Sequence, residues 1–269
     1  MNNAFQQFVL YLVDSPLKKL IWKRWYNLLT SNVANNKITF MNYGYVDLEQ
    51  DIKPLLSDYE QEELYSAQLY HHVANAISIN GLDVLEVGCG RGGGSSYITR
   101  YLHPKTMTGV DFSERNIKFC QKNHVIPQLN FCIGDAESLE FADCSFDAVV
   151  NVESSHCYAS IENFFSGVYR VLRPNGHFLF ADFRSKDEID NIKGLLQSSG
   201  FKILKSEIIT DNVVKAMDLD NERKLTLIKQ NGSKYLQELL SWFAGCQESP
   251  IYKALKNRDV EYFCYVLQK

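Results

Sequence analysis

Between Val84 and Ile98 the chain reads Val-Leu-Glu-Val-Gly-Cys-Gly-Arg-Gly-Gly-Gly-Ser-Ser-Tyr-Ile. No other stretch limits the fold as strongly. A short apolar run, Leu82 to Val87, ends in a glycine-rich turn, and a helix-like run follows. α/β folds build nucleotide sites this way. A strand feeds a tight turn that opens a helix, and glycine lets the backbone bend sharply and approach a ligand closely.

The chemistry of the loop narrows the ligand. A Walker loop needs a lysine for its phosphates, and this loop has none. Glu86 stands two residues before the first glycine, a poor position for a pyrophosphate. It suits a ligand with a cationic, amino-acid-like end. S-adenosyl-L-methionine carries an ammonium and a sulfonium and no phosphate, so it is the cofactor expected here. The competing reading is a glycine-rich surface turn.

The following segments arrive at the spacing such a site needs. Met107–Val110 reads as a second strand ending in Asp111-Phe112. An acid about 20 residues beyond a glycine loop is where a ribose diol is gripped. The same acid also fits a helix N-terminus, since Ser113 and Glu114 follow. Leu129–Ile133 is a third strand, followed by Gly134-Asp135-Ala136-Glu137, where Asp135 and the Ala136 backbone suit an adenine edge. Phe146–Val150 is the fourth, followed by Asn151-Val152-Glu153-Ser154-Ser155-His156-Cys157-Tyr158. His177–Ala181 is the fifth; Leu172-Arg173-Pro174-Asn175-Gly176 precedes it and Asp182-Phe183 follows. Phe201–Ile209 and Glu261–Leu267 complete the set. Helical patterns cover residues 1–30, Glu60–Ile79, Asp187–Ser199 and 211–245.

Strands alternating with helices predict a parallel sheet with crossover connections. The expected fold is α/β: a Rossmann-like, seven-stranded, mostly parallel sheet with helices on both faces. N-terminal helices precede it, and a helical lid is inserted between strands six and seven. Residues 1–60 are expected to form an N-terminal helical cap, and residues 61–269 the core with its insertion at 211–245.

Composition closes off other classes. The net charge is −4, the opposite of a nucleic-acid footprint. The seven cysteines are odd in number and include no Cys-x-x-Cys, so neither a disulfide framework nor a zinc site is expected. Free thiols and a cytoplasmic location follow. No run reaches the roughly 18 apolar residues of a membrane span. Near the start, Lys18, Lys19, Lys23 and Arg24 interleave with Leu17, Leu20, Ile21, Trp22 and Trp25. Such a basic amphipathic helix either rests on a membrane surface or packs over the mouth of the site.

The glycine loop, Asp111, Asp135 and the Arg173-Pro174-x-Gly176 turn resemble those of class I S-adenosylmethionine-dependent methyltransferases. The chain is more specifically similar to the phthiotriol/phenolphthiotriol dimycocerosates methyltransferase group of small-molecule O-methyltransferases. The shared pieces include Trp22-x-x-Trp25-Tyr26, Phe40-x-Asn42, Leu69-Tyr70-His71 and Phe243-Ala244-Gly245. Gly90-x-Gly92-Gly93-Gly94-x-Ser96-Tyr97 and Asn151-Val152-Glu153-x-Ser155-His156-Cys157-Tyr158 are the most specific.

The resemblance implies O-methylation of a hydroxyl on a small-molecule, lipid or polyketide-like acceptor. The cofactor contacts expected are Glu86, Gly88, Cys89, Gly90, Asp111, Phe112, Asn116, Asp135, Ala136, Glu137, Asn151 and Tyr43. A related glycoside O-methyltransferase pairs a histidine after strand four with an aspartate after strand five. His156 and Asp182 hold those positions here, although that relative has two adjacent histidines where this chain has His156-Cys157. Histidine suits a base because its ordinary pKa is about 6.5. Glu153 either packs near the cofactor or orients its neighbours, and Asn42, Tyr43 and Tyr45 are candidates to close over a ligand. C- or N-methylation, and a cofactor-binding protein that transfers no methyl, are the alternatives at this point. No Asn/Asp-Pro-Pro-Tyr motif follows strand four, which disfavours nucleobase or glutamine N-methylation.

Overall fold

Val84, Leu85, Val87, Val149 and Val150 are all buried, because the sheet they form is covered on both faces. The computed structural model describes residues 38–49, 56–230 and 234–269. Its strands are β1 (Asp83–Val87), β2 (Thr106–Asp111), β3 (Leu129–Ile133), β4 (Phe146–Val152), β5 (Leu172–Ser185), β6 (Lys202–Ile208) and β7 (Val260–Gln268). They form one sheet in the order β3-β2-β1-β4-β5-β7-β6. β7 runs antiparallel to both of its neighbours, and the other pairs are parallel.

The helices are α1 (Leu64–Ala74), α2 (Gly93–Tyr101), α3 (Glu114–Asn123), α4 (Ile161–Val171), α5 (Lys186–Ser198), α6 (Thr210–Lys229), α7 (Lys234–Phe243) and α8 (Pro250–Lys256). One face of the sheet packs through Val84 and Met107 against Leu69 and Val73 of α1, Tyr97 and Ile98 of α2, and Val213 and Met217 of α6. The other packs through Leu85, Val149 and Phe178 against Phe164 and Val168 of α4 and Ile192 and Leu196 of α5. The period-2 alternation of a strand therefore puts Glu86 on the α1/α2 side with Val84.

Three departures from the sequence reading have local causes. The helix expected over Glu60–Ile79 begins as a 3-10 turn, Asp58–Glu63, capped reciprocally by Ser57 and Glu60, and its α-helical part ends at Ala74. β5 begins earlier than His177. The Arg173-Pro174-Asn175-Gly176 turn is a bulge within it, because Phe146 pairs with Leu172 while Ala148 pairs with His177. The insertion between β6 and β7 holds three helices and extends to Lys256.

Residues 38–49 contain no helix. They are irregular chain, with Phe40 and Tyr45 buried in the core and the Tyr45 N–H donating to the Tyr65 carbonyl at 2.9 Å. The helix expected over residues 1–30 lies outside the described residues. Among the described residues, no helix is long and apolar enough to cross a membrane.

Candidate active site

In open α/β sheets the ligand crevice opens beyond the strand carboxyl ends where strand order reverses. Here that point lies between β1 and β4, the inner pair from which the two halves of the sheet run outward. A cleft of about 920 Å³ occupies it. The turn after β1 forms its floor. Gly88 has φ +77°, and a Cβ there would meet Ser154 Oγ at 2.4 Å, so only glycine fits. Ser154 is fixed in turn by the Tyr158 hydroxyl at 2.9 Å and by Asn151 Nδ2 at 2.8 Å. Gly90, with φ +53°, faces open space apart from Met41 Sδ, 3.4 Å from where its Cβ would lie.

Asp111 ends β2 and faces the cleft. The cap of α3 is Ser113, whose Oγ accepts from the Asn116 N–H at 3.4 Å, so Asp111 is not spent on capping. Its Oδ1 accepts from the Ser113 N–H and Asn116 Nδ2, and its Oδ2 accepts from the Gly90 N–H at 3.0 Å. Two carboxylate oxygens offer about four acceptor sites, so one remains towards the cleft. Burial raises the Asp111 pKa to about 6, against the pull of these donors. Phe112, Asn116, Asp135, Ala136 and Glu137 line the same cleft, as do Gly88, Cys89 and Gly90. Glu137 ties the loop after β3 to the loop after β4 by accepting from the Ala159 and Ser160 N–H groups at 3.2 and 3.0 Å.

Three expected cofactor contacts stand elsewhere. Glu86 is fully buried and outside the cleft lining; its carboxylate accepts from the Tyr70 hydroxyl at 2.6 Å and from Ser95 Oγ. The Tyr70 ring lines the cleft in its place. Asn151 is also fully buried behind the wall, donating to the Val87 carbonyl at 2.8 Å. Tyr43 lines a second cavity instead. Tyr45 lines neither and stacks on His72 at 4.3 Å.

The second cavity, about 1080 Å³, is walled by α6, α7 and residues 38–43. Phe40, Met41, Asn42 and Glu153 line both cavities, so the two share a wall. Leu227, Ile228, Leu240 and Phe243 give the second an apolar surface, and His156 lies in it.

Asp182 anchors this histidine. Its buried carboxylate takes His156 Nδ1 at 2.9 Å, the His156 N–H at 3.0 Å, Ser155 Oγ at 2.6 Å and the Phe183 N–H at 2.9 Å. Arg184 stands 3.3 Å away. Burial alone would raise the Asp182 pKa, but His156 and Arg184 hold it well below the usual carboxylate range. For His156 burial works downward. Cys157 and the Asp182 carboxylate outweigh it and raise the pKa to about 10. The imidazole also lies 4.5 Å from the Phe183 ring centroid.

Glu153 stands at the junction of the cavities. It has φ +50°, an uncommon conformation for a non-glycine residue. Its Oε2 accepts from the Tyr43 N–H and the Tyr262 hydroxyl, each at 2.9 Å. Burial raises its pKa to about 8. Sequence reasoning passes over Arg223 and Lys224, which no local motif marks, and reads Tyr70, within Leu69-Tyr70-His71, only as part of the family resemblance.

Residues 85–180 match the methyltransferase-domain family, the stretch that carries the glycine loop, Asp111, Asp135 and His156. The chain is 36% identical over 251 residues to phthiotriol/phenolphthiotriol dimycocerosates methyltransferase of Mycobacterium tuberculosis, covering 93% of each chain. This protein belongs to the S-adenosylmethionine-dependent methyltransferases. A fatty-acid O-methyltransferase of Mycolicibacterium smegmatis is likewise 36% identical, over 90% of this chain and 88% of its own. Among solved structures, the [4+2]-cyclase SpnF shares the fold with a TM-score of 0.74 at 19% identity, covering 95% of this chain and 97% of its own. The methyltransferase uses S-adenosyl-L-methionine as its cofactor. The cleft fits that molecule on two counts: a glycine floor open at Gly90, and an acid with acceptor capacity to spare at Asp111.

Proposed function

We propose that this methyltransferase methylates a hydroxyl oxygen of a lipid- or polyketide-like small molecule, with His156 as base and Asp182 holding it in place. One observation carries the reading. A histidine buttressed by a buried carboxylate lines an apolar chamber that shares a wall with the glycine cleft. The names of the relatives, a dimycocerosates methyltransferase and a fatty-acid O-methyltransferase, support a lipid-like acceptor.

Bound in the cleft, the cofactor supplies a methyl group activated by its sulfonium. Asp111 would take a ribose hydroxyl on Oδ2, Asp135 and Ala136 the adenine edge, and the Gly88–Gly90 backbone the amino-acid end. Phe112 and Asn116 flank the ribose acid, and Glu137 braces the loops. Glu86 contributes at one remove, by fixing Tyr70. Phe40, Met41 and Asn42 form the partition across which the acceptor oxygen approaches, and alignment of this kind is worth several kcal/mol. With Nδ1 committed to Asp182, the hydroxyl proton passes to Nε2. His156 loses its own proton more readily once a positive charge occupies the adjoining cleft. Asp182 then stabilises the imidazolium that forms. The seven free thiols suit a reducing, cytoplasmic setting.

The test is S-adenosylhomocysteine formation with a panel of long-chain alcohols and hydroxylated polyketides. Turnover that falls in both His156→Ala and Asp182→Ala supports the reading. Full turnover in both variants overturns the base assignment.

A further inference from the structure

Away from both cavities, a histidine, a glutamate and a cysteine converge. His72 comes from α1, Glu207 from β6 and Cys264 from β7. The strand register sets Glu207 directly opposite Cys264. Such pairs project to one face of a sheet. For Cys264 that face is the one packed against α1, where it lies with Tyr262, Val266, Leu69 and Val73. A ligating atom of each of the three residues lies within 4.8 Å of the other two.

The imidazole is oriented for this meeting by stacking on Tyr45 at 4.3 Å. His72 Nε2 is shielded from solvent and makes no hydrogen bond among the described residues, although Glu207 Oε2 stands 3.3 Å away. That spacing suits two ligand atoms on one ion. A zinc-class cation holds N and O at about 2.0–2.1 Å and S at about 2.3 Å, so tetrahedral ligand atoms sit about 3.3–3.6 Å apart. Cys264 Sγ then has about 1 Å to close at most, within reach of side-chain adjustment. Thiolate, imidazole and carboxylate together favour zinc or cobalt(II) over the hard cations magnesium and calcium. Charge balances as well. Lys205 Nζ lies 2.9 Å from Glu207 Oε1 and offsets that carboxylate, leaving Oε2 turned to His72. When the sulfur–metal bond forms, the Cys264 thiol yields its proton to solvent. The thiolate and Asp47, which shares a surface groove with His72 and Lys205, then match a divalent charge. The groove opens beside His72 and gives an ion its way in.

We infer that His72, Glu207 and Cys264 bind a zinc-class divalent cation that ties α1 to the edge of the sheet. Sequence spacing gives no sign of it, because the ligands come from three separate elements. The site plays a structural part and stands apart from methyl transfer, since none of the three residues lines the cleft or the chamber. It braces the cofactor cleft from behind: α1 also carries Tyr70, whose ring lines that cleft.

The experiment titrates the chelator-treated full chain with Co²⁺ and follows absorbance. One equivalent binds, with a thiolate-to-cobalt charge-transfer band in the near ultraviolet and the strong visible bands of a four-coordinate ion. Zn²⁺ displaces it and raises the thermal midpoint. Cys264→Ser removes the charge-transfer band. His72→Gln and Cys264→Ser each weaken Co²⁺ by roughly 100-fold or more, beyond the roughly 10- to 100-fold that follows loss of an outer-shell partner. S-adenosylhomocysteine binding reports that each variant is folded. His72→Gln changes a half-buried helix position and carries the test by itself if Cys264→Ser does not fold. The inference is overturned if the unmodified protein takes up no stoichiometric Co²⁺, or binds it without the thiolate band. It is equally overturned if the folded variants bind Co²⁺ as the original does.

Discussion

Replacing His156 by alanine is the sharpest perturbation of the proposed chemistry. The surroundings define what else changes. Asp182 loses its Nδ1 partner at 2.9 Å but keeps Ser155 Oγ at 2.6 Å and the His156 and Phe183 N–H groups at 3.0 and 2.9 Å. Arg184 also remains, 3.3 Å away. The carboxylate therefore stays paired and the fold persists. His156 lines the apolar chamber and not the glycine cleft, so affinity for S-adenosylhomocysteine, which lacks the sulfonium charge, is unchanged. What disappears is the base, typically worth about 10²–10⁴-fold in rate. The assay is S-adenosylhomocysteine formation at saturating cofactor across pH. A base acts in its neutral form, and His156 is raised to about 10 in the free protein. The unmodified enzyme should therefore gain kcat/KM with pH through the neutral range and level off below that value, because the bound cofactor's positive charge lowers it. In His156→Ala the limb vanishes and the residual rate is flat. A variant within threefold of the original rate, or one with the same rising limb, refutes the base assignment.

Three further outcomes follow from the same geometry. Glu153 has a folded pKa of about 8 against an ordinary 4.5, so its stability contribution is full below pH 4.5 and is lost as pH rises through 8. Denaturant titrations should show the original protein losing on the order of a few kcal/mol across that window relative to Glu153→Gln; parallel curves would contradict the burial argument. Gly94→Ala places a Cβ 2.0 Å from Tyr70 Cε1, on a ring pinned by its bond to Glu86. Urea midpoints should report a loss of about 1–3 kcal/mol, the usual cost of overpacking. Asp111→Asn should weaken S-adenosylhomocysteine roughly 10- to 100-fold by calorimetry, the range for a hydrogen bond to a charged group; unchanged affinity would remove Asp111 from the ribose site.

The legible part of the molecule was the part written locally. Buried parallel strands appear as largely apolar runs, so Val84–Val87 and Phe146–Val150 announce themselves, each broken by one acid, Glu86 or Asp147. The glycines need φ values that only their neighbours in sequence hint at, and Gly88, Gly90 and Gly92 all have positive φ. The closing strand was legible as an apolar, aromatic-rich run, and it pairs antiparallel with β5 and β6. Direction was harder. Glu86 reads as a ligand contact by position, yet the strand period turns it towards α1 and α2, where Tyr70 and Ser95 hold it. The helical pattern after Glu60 concealed a 3-10 start, because capping by Ser57 depends on geometry and not on apolar period. Lys224 looks like one more surface lysine on an amphipathic helix. Its burial depends on α7 and residues 38–43 closing around the same cavity, a long-range event with no local signature.

The most direct test of the account is where the methyl group goes. The enzyme would be incubated with S-adenosylmethionine labelled with ¹³C at the methyl carbon and a long-chain hydroxylated lipid, and the product examined by NMR. The account predicts a single labelled resonance in the methoxy range, with S-adenosylhomocysteine formed in equal amount. A labelled methyl on carbon or nitrogen, or an acceptor bound and returned unmethylated, would contradict it.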